Sequence, residues 1–183
     1  MIYDITLRTA GMLAGAFLLL VALPGVLLPK ATASFAQKFP RSGVIGFALL
    51  TAAFVWSLWL LWTMEMGEFS GFRRPLLIAL PIGYGLVLRF VNEFLAVRAL
   101  GILALLAAEP LLEAAFLRYE PSRLLVTVFA YILIVKGIVW VTMPYLLRDK
   151  INWAARSVGR WASVNALAAI YGGVLLFFAL TRY

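Results

Sequence analysis

The sequence predicts an all-α integral membrane protein: a bundle of six, or alternatively five, transmembrane helices joined by short amphipathic connectors at the membrane surface. Hydrophobic residues make up 64% of the 183 residues and charged residues 13%, which is more apolar surface than one soluble core of this length can bury. Several apolar runs reach the ~20 residues with which a helix crosses a ~30 Å hydrocarbon layer. These runs lack the alternation of polar and apolar residues that barrel strands show.

The apolar runs set the number of spans. Five are clear: residues 9–29, 43–62, 75–91, 124–144 and 161–180. A sixth run, residues 94–113, is ambiguous because it contains Glu109, Pro110 and Glu113. The connections are short and contain no low-complexity tract, so a single transmembrane domain over residues 1–183 is expected.

Glu109 and Pro110 can be interpreted in two ways. Proline fits the first turn of a helix and carboxylates favour its N-terminus, which predicts that the sixth span ends here and a surface element begins. In the alternative interpretation, a broken helix holds the paired carboxylates Glu109 and Glu113 at mid-membrane, where they bind a cation or a proton.

A hairpin pattern recurs at residues 9–62 and 124–180. Each copy has an apolar helix, a proline (Pro29 or Pro144), a basic amphipathic stretch and a second apolar helix. In the later copy Leu147, Ile151, Ala154 and Val158 share one helical face, which is typical of a helix lying in the membrane surface. The predicted contacts to anionic lipid are Lys30, Lys38, Arg41, Arg148, Lys150, Arg156 and Arg160. Ordinary solvated connectors are the alternative.

The C-terminal hairpin has Lys136 and Gly137 inside an aliphatic run, Pro144 near the helix end, and Gly172 and Gly173 in its second helix. With these features, about residues 125–180 resemble the YjeT-like two-helix inner-membrane proteins, a family that usually has an acidic residue where Lys136 stands. The resemblance implies no activity. It would support duplication of a hairpin unit.

Charged residues within apolar runs are candidates for function, since each costs about 2.5–3.5 kcal/mol at the bilayer centre. Lys136 would extend to the nearer interface, or pair with Asn165 or with an acidic residue of a neighbouring helix. The segment from Arg89 to Arg98 is expected to be a tight turn facing the cytoplasm, and one long helix is the alternative. The candidate intramembrane charge network is Lys136, Glu109, Glu113, Arg89, Glu93 and Arg98.

The distribution of Lys and Arg predicts the orientation. With six spans, six of these residues fall on the side of the termini and nine on the side of the first, third and fifth loops. The positive-inside rule therefore places those three loops in the cytoplasm and both termini outside, in the inner (plasma) membrane.

The sequence contains no cysteine and no histidine. Disulfides, thiolate catalysis, histidine-ligated metals and Ser-His-Asp triads are therefore excluded, and no cofactor is predicted. Nucleic-acid binding is not expected, because the basic residues are scattered between apolar runs and form no basic domain. A lipid-modifying enzyme is disfavoured, since neither clustered aspartates nor a glycine-flanked nucleophile is found.

The predicted function is non-enzymatic and structural or accessory, with packing against lipids or other membrane subunits. Gly11 and Gly15 have GxxxG spacing, which predicts tight helix packing or self-association. Three further glycine pairs are expected points of close approach: Gly43 with Gly46, Gly83 with Gly85, and Gly172 with Gly173. The alternative function is a small transporter or channel that uses Lys136 with Glu109, Glu113 or Glu93.

Overall fold

A computed structural model describes residues 3–91 and 93–182, and within them the chain is helical and contains no strand. The eight α-helices are α1 (Leu7–Leu27), α2 (Pro29–Lys38), α3 (Gly43–Thr63), α4 (Arg73–Phe90), α5 (Leu95–Ala115), α6 (Arg123–Thr142), α7 (Tyr145–Ala155) and α8 (Val158–Thr181). Short 3₁₀ helices, Phe39–Arg41 and Gly67–Phe72, precede α3 and α4.

Six of the described helices are long and apolar enough to cross a membrane: α1, α3, α4 with its preceding 3₁₀ turn, α5, α6 and α8. The protein is therefore an all-α bundle of membrane-spanning helices. The predicted spans agree with these helices to within a few residues at most ends. The ambiguous run at 94–113 forms one helix, Leu95–Ala115, that is long and apolar enough to span, which favours the six-helix arrangement.

Short connections make successive spans antiparallel, so the loops divide between two faces of the bundle. We call the face that carries α2, α7 and the α4–α5 turn the connector face. Its parts touch one another, because α2 packs against α7 and the 3₁₀ turn before α3 packs against α5. The opposite face, here the terminal face, carries both termini and the loops after α3 and α5.

Close backbone contacts at glycine hold the spans together. A Cβ atom added at Gly15 would lie 2.8 Å from the Gly172 carbonyl oxygen, and one added at Gly101 would lie 2.9 Å from the Gly137 carbonyl oxygen. These contacts bring α1 against α8 and α5 against α6, the most extensive helix pairs in the bundle. At Gly46 of α3, an added Cβ would lie 2.8 Å from a backbone nitrogen of α5.

The helix end predicted at Glu109 is wrong. Helix α5 continues through Pro110 to Ala115. Proline removes one backbone hydrogen bond, but packing maintains the helix, since Ala108, Leu111 and Ala114 are buried in the main core cluster. Membrane helices tolerate proline where neighbouring helices support them in this way.

The surface helix of the C-terminal hairpin is shorter than predicted. Helix α7 ends at Ala155, and Val158 already belongs to α8. Ala154 is buried, while Leu147 and Ile151 are half-buried, so the predicted apolar face exists over about two turns. Both hairpins have a span, a surface helix and a second span in the same order, and their origin by duplication stays a prediction.

Helix α4 lies at the periphery. None of its residues is buried, and its contact with α3 includes Tyr84. The Tyr84 ring stacks on Phe54 with centroids 4.5 Å apart, and its hydroxyl is hydrogen-bonded to Thr51 Oγ1 at 2.8 Å.

Candidate functional site

The connector face is the strongest candidate functional surface. Helices α2 and α7 lie side by side on it, and Trp161 Nε1 of α8 donates a hydrogen bond to Thr32 Oγ1 of α2 at 3.0 Å. Of the seven cations predicted to contact anionic lipid, Arg148 is half-buried. The other six are exposed: Lys30, Lys38, Arg41, Lys150, Arg156 and Arg160.

Formal charge is distributed unequally between the two faces. Among the described residues, the connector face carries nine Lys and Arg residues and two carboxylates, Glu93 and Asp149, which gives +7. The terminal face carries six arginines and six carboxylates, which gives zero; the arginines are Arg8, Arg73, Arg74, Arg118, Arg123 and Arg182, and the carboxylates are Asp4, Glu65, Glu68, Glu109, Glu113 and Glu120. Lys136 lies six residues from the connector-face end of α6 and would raise the charge of that face to +8, the net charge of the chain.

Aromatic rings hold two of the connector-face arginines. The Arg148 guanidinium lies 5.6 Å from the Phe94 ring centroid and forms an ion pair with Asp149 at 2.8 Å. The Arg160 guanidinium lies 5.5 Å from the Trp153 ring. Trp153 is exposed, as expected for a membrane-interface anchor.

Arg89, Glu93 and Arg98 lie around the turn that joins α4 to α5. The predicted tight turn is confirmed, because α4 ends at Phe90 and α5 begins at Leu95. Phe94 adopts a left-handed conformation at φ 56°, which is uncommon for an aromatic residue. Arg89 and Glu93 are exposed. The Nε of Arg98 is buried and has no hydrogen-bond partner among the described residues.

Lys136 lies in the half of α6 that is nearer to the connector face. It is six residues before the end of α6 at Thr142, or about 9 Å along the helix. Its side chain is exposed on the bundle surface. Asn165 does not pair with it, since the Asn165 amide covers Gly25 and donates to the Trp161 carbonyl at 2.8 Å. This position fits a lysine that extends to the interface.

Glu109 and Glu113, two of the three acidic members of the charge network, lie toward the terminal face. Glu109 and Glu113 are one turn apart on α5, and Glu109 is six residues before the helix end. Since Gly101 lies against Gly137, Glu109 and Lys136 are separated by about 10 Å along the helix axes. The structure thus brings the two glutamates together and leaves Lys136, Arg89, Glu93 and Arg98 with the other half of the bundle.

Tyr3, which no sequence pattern singled out, lies beside these carboxylates. Its backbone N–H donates to Glu113 Oε2 at 3.3 Å, and its hydroxyl accepts a hydrogen bond from Trp56 Nε1 at 2.7 Å. Burial raises the pKa of Tyr3; the Trp56 hydrogen bond opposes this, and the nearby Glu109 and Glu113 charges raise the pKa further. Aromatic residues near helix ends are typical of a membrane interface, but they give no indication that Tyr3 lies beside Glu113.

A polar cleft of about 250 Å³ adjoins the Tyr3 cluster and is lined by Asp4, Thr6, Glu113 and Arg118, among others. Within residues 3–91 and 93–182, no three Asp or Glu side chains are grouped so that they could hold a metal ion. The cleft therefore supplies polar contacts to the N-terminal segment, and its residues suggest no particular chemistry.

The predicted glycine contacts are only partly used. Gly11 and Gly15 are buried, and Gly15 faces Gly172 of α8, so self-association through this pair would require α1 to separate from α8. A Cβ atom added at Gly43, Gly83, Gly85 or Gly173 would meet nothing within 4 Å.

Comparisons with other proteins identify no relative: no family model, no curated protein and no solved structure matches the chain.

Proposed function

We propose that the chain is a non-enzymatic, structural or accessory protein of the inner (plasma) membrane, and that its connector face lies on the anionic cytoplasmic leaflet. The charge difference of +7 against zero carries this proposal. Juxtamembrane cations are attracted to anionic lipid by about 1 kcal/mol each. They also bias the face on which they lie toward the cytoplasm.

The helices of the connector face support the same function. Basic amphipathic helices bind at the level of the headgroups with their apolar face toward the bilayer. In α7 the apolar side faces the bundle at Ala154, while Asn152 and the C-cap residue Arg156, on the other side of the helix, are exposed. Packing of α2 on α7 joins the two basic helices in one layer. The role that follows is to hold anionic lipid, and subunits associated with it, against this side of the bundle.

Neutralising three exposed connector cations, Lys38→Gln, Arg41→Gln and Arg156→Gln together, is expected to remove about 3 kcal/mol of stabilisation by anionic lipid. The measurement is the unfolding temperature in nanodiscs of phosphatidylcholine, with and without phosphatidylglycerol. Wild-type protein should be stabilised by phosphatidylglycerol, and salt should weaken the effect.

The matched control is the triple variant Arg8→Gln, Arg118→Gln and Arg182→Gln, which removes three exposed arginines from the terminal face. It should keep most of the response to phosphatidylglycerol. Equal losses in the two triple variants, or a wild-type unfolding temperature that is the same in both lipids, would refute the proposal.

A further inference from the structure

An apolar crevice of about 540 Å³ lies between α3, α4 and α5. Leu50, Phe54 and Leu61 of α3 form one wall, and Leu80 and Gly83 of α4 form the other. Ile102 and Leu106 of α5 form the floor. The helices that line the crevice all span the membrane, so it opens to lipid and not to water.

The crevice exists because α4 packs only loosely on the bundle. Although a short turn joins α4 to α5, the main contacts of α4 are with α3 and with its own preceding 3₁₀ turn. Tyr84 ties α4 to α3 through Phe54 and Thr51. On the terminal-face side of Tyr84, the two helices leave open space beside Gly83.

The crevice is at least as long as one leaflet of a bilayer is deep. Its lining extends from Leu76 to Val87 on α4, or about 16 Å along the helix, and from Leu50 to Met64 on α3, or about 21 Å. Half of a ~30 Å hydrocarbon layer is about 15 Å. The crevice is therefore long enough to hold a single acyl chain that enters from the terminal face.

Two arginines stand where the headgroup of such a lipid would lie. Arg73 and Arg74 begin α4, one turn beyond Leu76. The Arg73 guanidinium donates through Nη2 to the carbonyl of Met64, which also lines the crevice, while its Nε is buried and has no hydrogen-bond partner among the described residues. Arg74 is exposed. Arginine pairs of this kind bind phosphate oxygens well.

We propose that this crevice binds one acyl chain of a phospholipid from the leaflet at the terminal face, with the lipid phosphate on Arg73 and Arg74. A partner helix fits less well, because a helix is ~10–12 Å in diameter with its side chains and could insert only a row of side chains. Glu65 and Glu68 of the same loop are exposed and form no ion pair with these arginines among the described residues. Neither carboxylate therefore competes with a lipid phosphate for these two guanidinium groups.

Filling the crevice tests the acyl-chain site. Gly83→Phe adds a ring on the crevice side of α4, where a Cβ meets nothing within 4 Å, so the fold should be kept. Gly85→Phe is the matched control, because its Cβ is equally unobstructed and Gly85 does not line the crevice. The probe is phosphatidylglycerol with a diazirine in one acyl chain, photolysed with the protein in nanodiscs and mapped by mass spectrometry.

The wild type and Gly85→Phe should crosslink at the crevice, with Ile102 and Leu106 prominent, and Gly83→Phe should lose at least tenfold of that signal. Arg74→Gln should reduce crosslinking by phosphatidylglycerol more than by the phosphatidylcholine analogue. Equal labelling of Gly83→Phe and Gly85→Phe would overturn the proposal. So would crosslinks spread evenly over all lipid-facing helices, or a Gly83→Phe variant that keeps its crosslinks but loses association with a second protein. The crevice opens toward the face opposite the connector cations. The result of this experiment is therefore independent of whether the proposed function is correct.

Discussion

Replacing Gly172 with leucine is expected to separate α8 from α1 and to lower the free energy of unfolding by about 2–3 kcal/mol, the usual cost of overpacking. A Cβ atom at Gly172 would lie 2.9 Å from Leu18 Cβ and 3.0 Å from the Gly15 carbonyl oxygen. The backbone oxygen cannot move without the helix, so the helices must shift. The measurement is an SDS titration of the protein in mild detergent, followed by tryptophan fluorescence.

Gly173→Leu is the control for this variant. It places the same side chain on the same helix one residue later, where an added Cβ meets nothing within 4 Å. Its stability should remain within about 0.5 kcal/mol of the wild type. If the two leucine variants unfolded at the same SDS concentration, Gly15 and Gly172 would not form the contact described here.

Gly137→Leu is expected to have a similar effect, about 2–3 kcal/mol, at the contact of α6 with α5. A Cβ at Gly137 would lie 2.7 Å from Leu105 Cγ and 2.9 Å from the Gly101 carbonyl oxygen. Because α5 also packs against α3 and α1, its displacement should loosen the centre of the bundle. The same SDS titration measures the effect.

Gly85→Leu on α4 serves as the control for Gly137→Leu, since the added side chain projects into open space. The double variant Gly137→Leu with Gly172→Leu should lose approximately the sum of the two single losses, because the substitutions act on different helix pairs. A wild-type stability for Gly137→Leu would contradict the α5–α6 packing.

The membrane spans could be predicted from the sequence because a spanning helix is fixed by local quantities: the length of an apolar run and the position of the charges. The turns at Pro29 and Pro144 could be predicted for the same reason, because they too depend on residues that are close together in the sequence. Whether Pro110 ends a helix depends on the neighbours of Ala108 and Leu111, which are distant in the sequence. Local pattern therefore predicted a helix end where packing supports a continuous helix.

The glycines illustrate the same limit. Spacing singled out Gly172 and Gly173 together, yet only Gly172 faces another backbone. Gly101 was not singled out, although it lies against Gly137. Spacing shows that a close approach is allowed, and the rotation of each helix decides which residue makes it.

Some features of the candidate site could be predicted from the sequence, and others could not. The cations of α2 and α7 were predictable because they are local to the two connectors. That both connectors lie on one face follows from an even number of spans between them, and this required the run at 94–113 to span. The contact of Tyr3 with Glu113 joins residues 110 positions apart, so no local pattern contains it.

The central claim is that six spans place the connector face in the cytoplasm. Its most direct test is the accessibility of single cysteines, because the native chain contains none. Gln37→Cys and Asn152→Cys are on the connector face, and Ser70→Cys and Tyr119→Cys are on the terminal face; all four positions are exposed. In intact cells a membrane-impermeant maleimide should label positions 70 and 119 only. Positions 37 and 152 should react once the inner membrane is permeabilised. Labelling of positions 119 and 152 from the same side would contradict the six-span arrangement, and labelling of positions 37 and 152 in intact cells would contradict the cytoplasmic connector face.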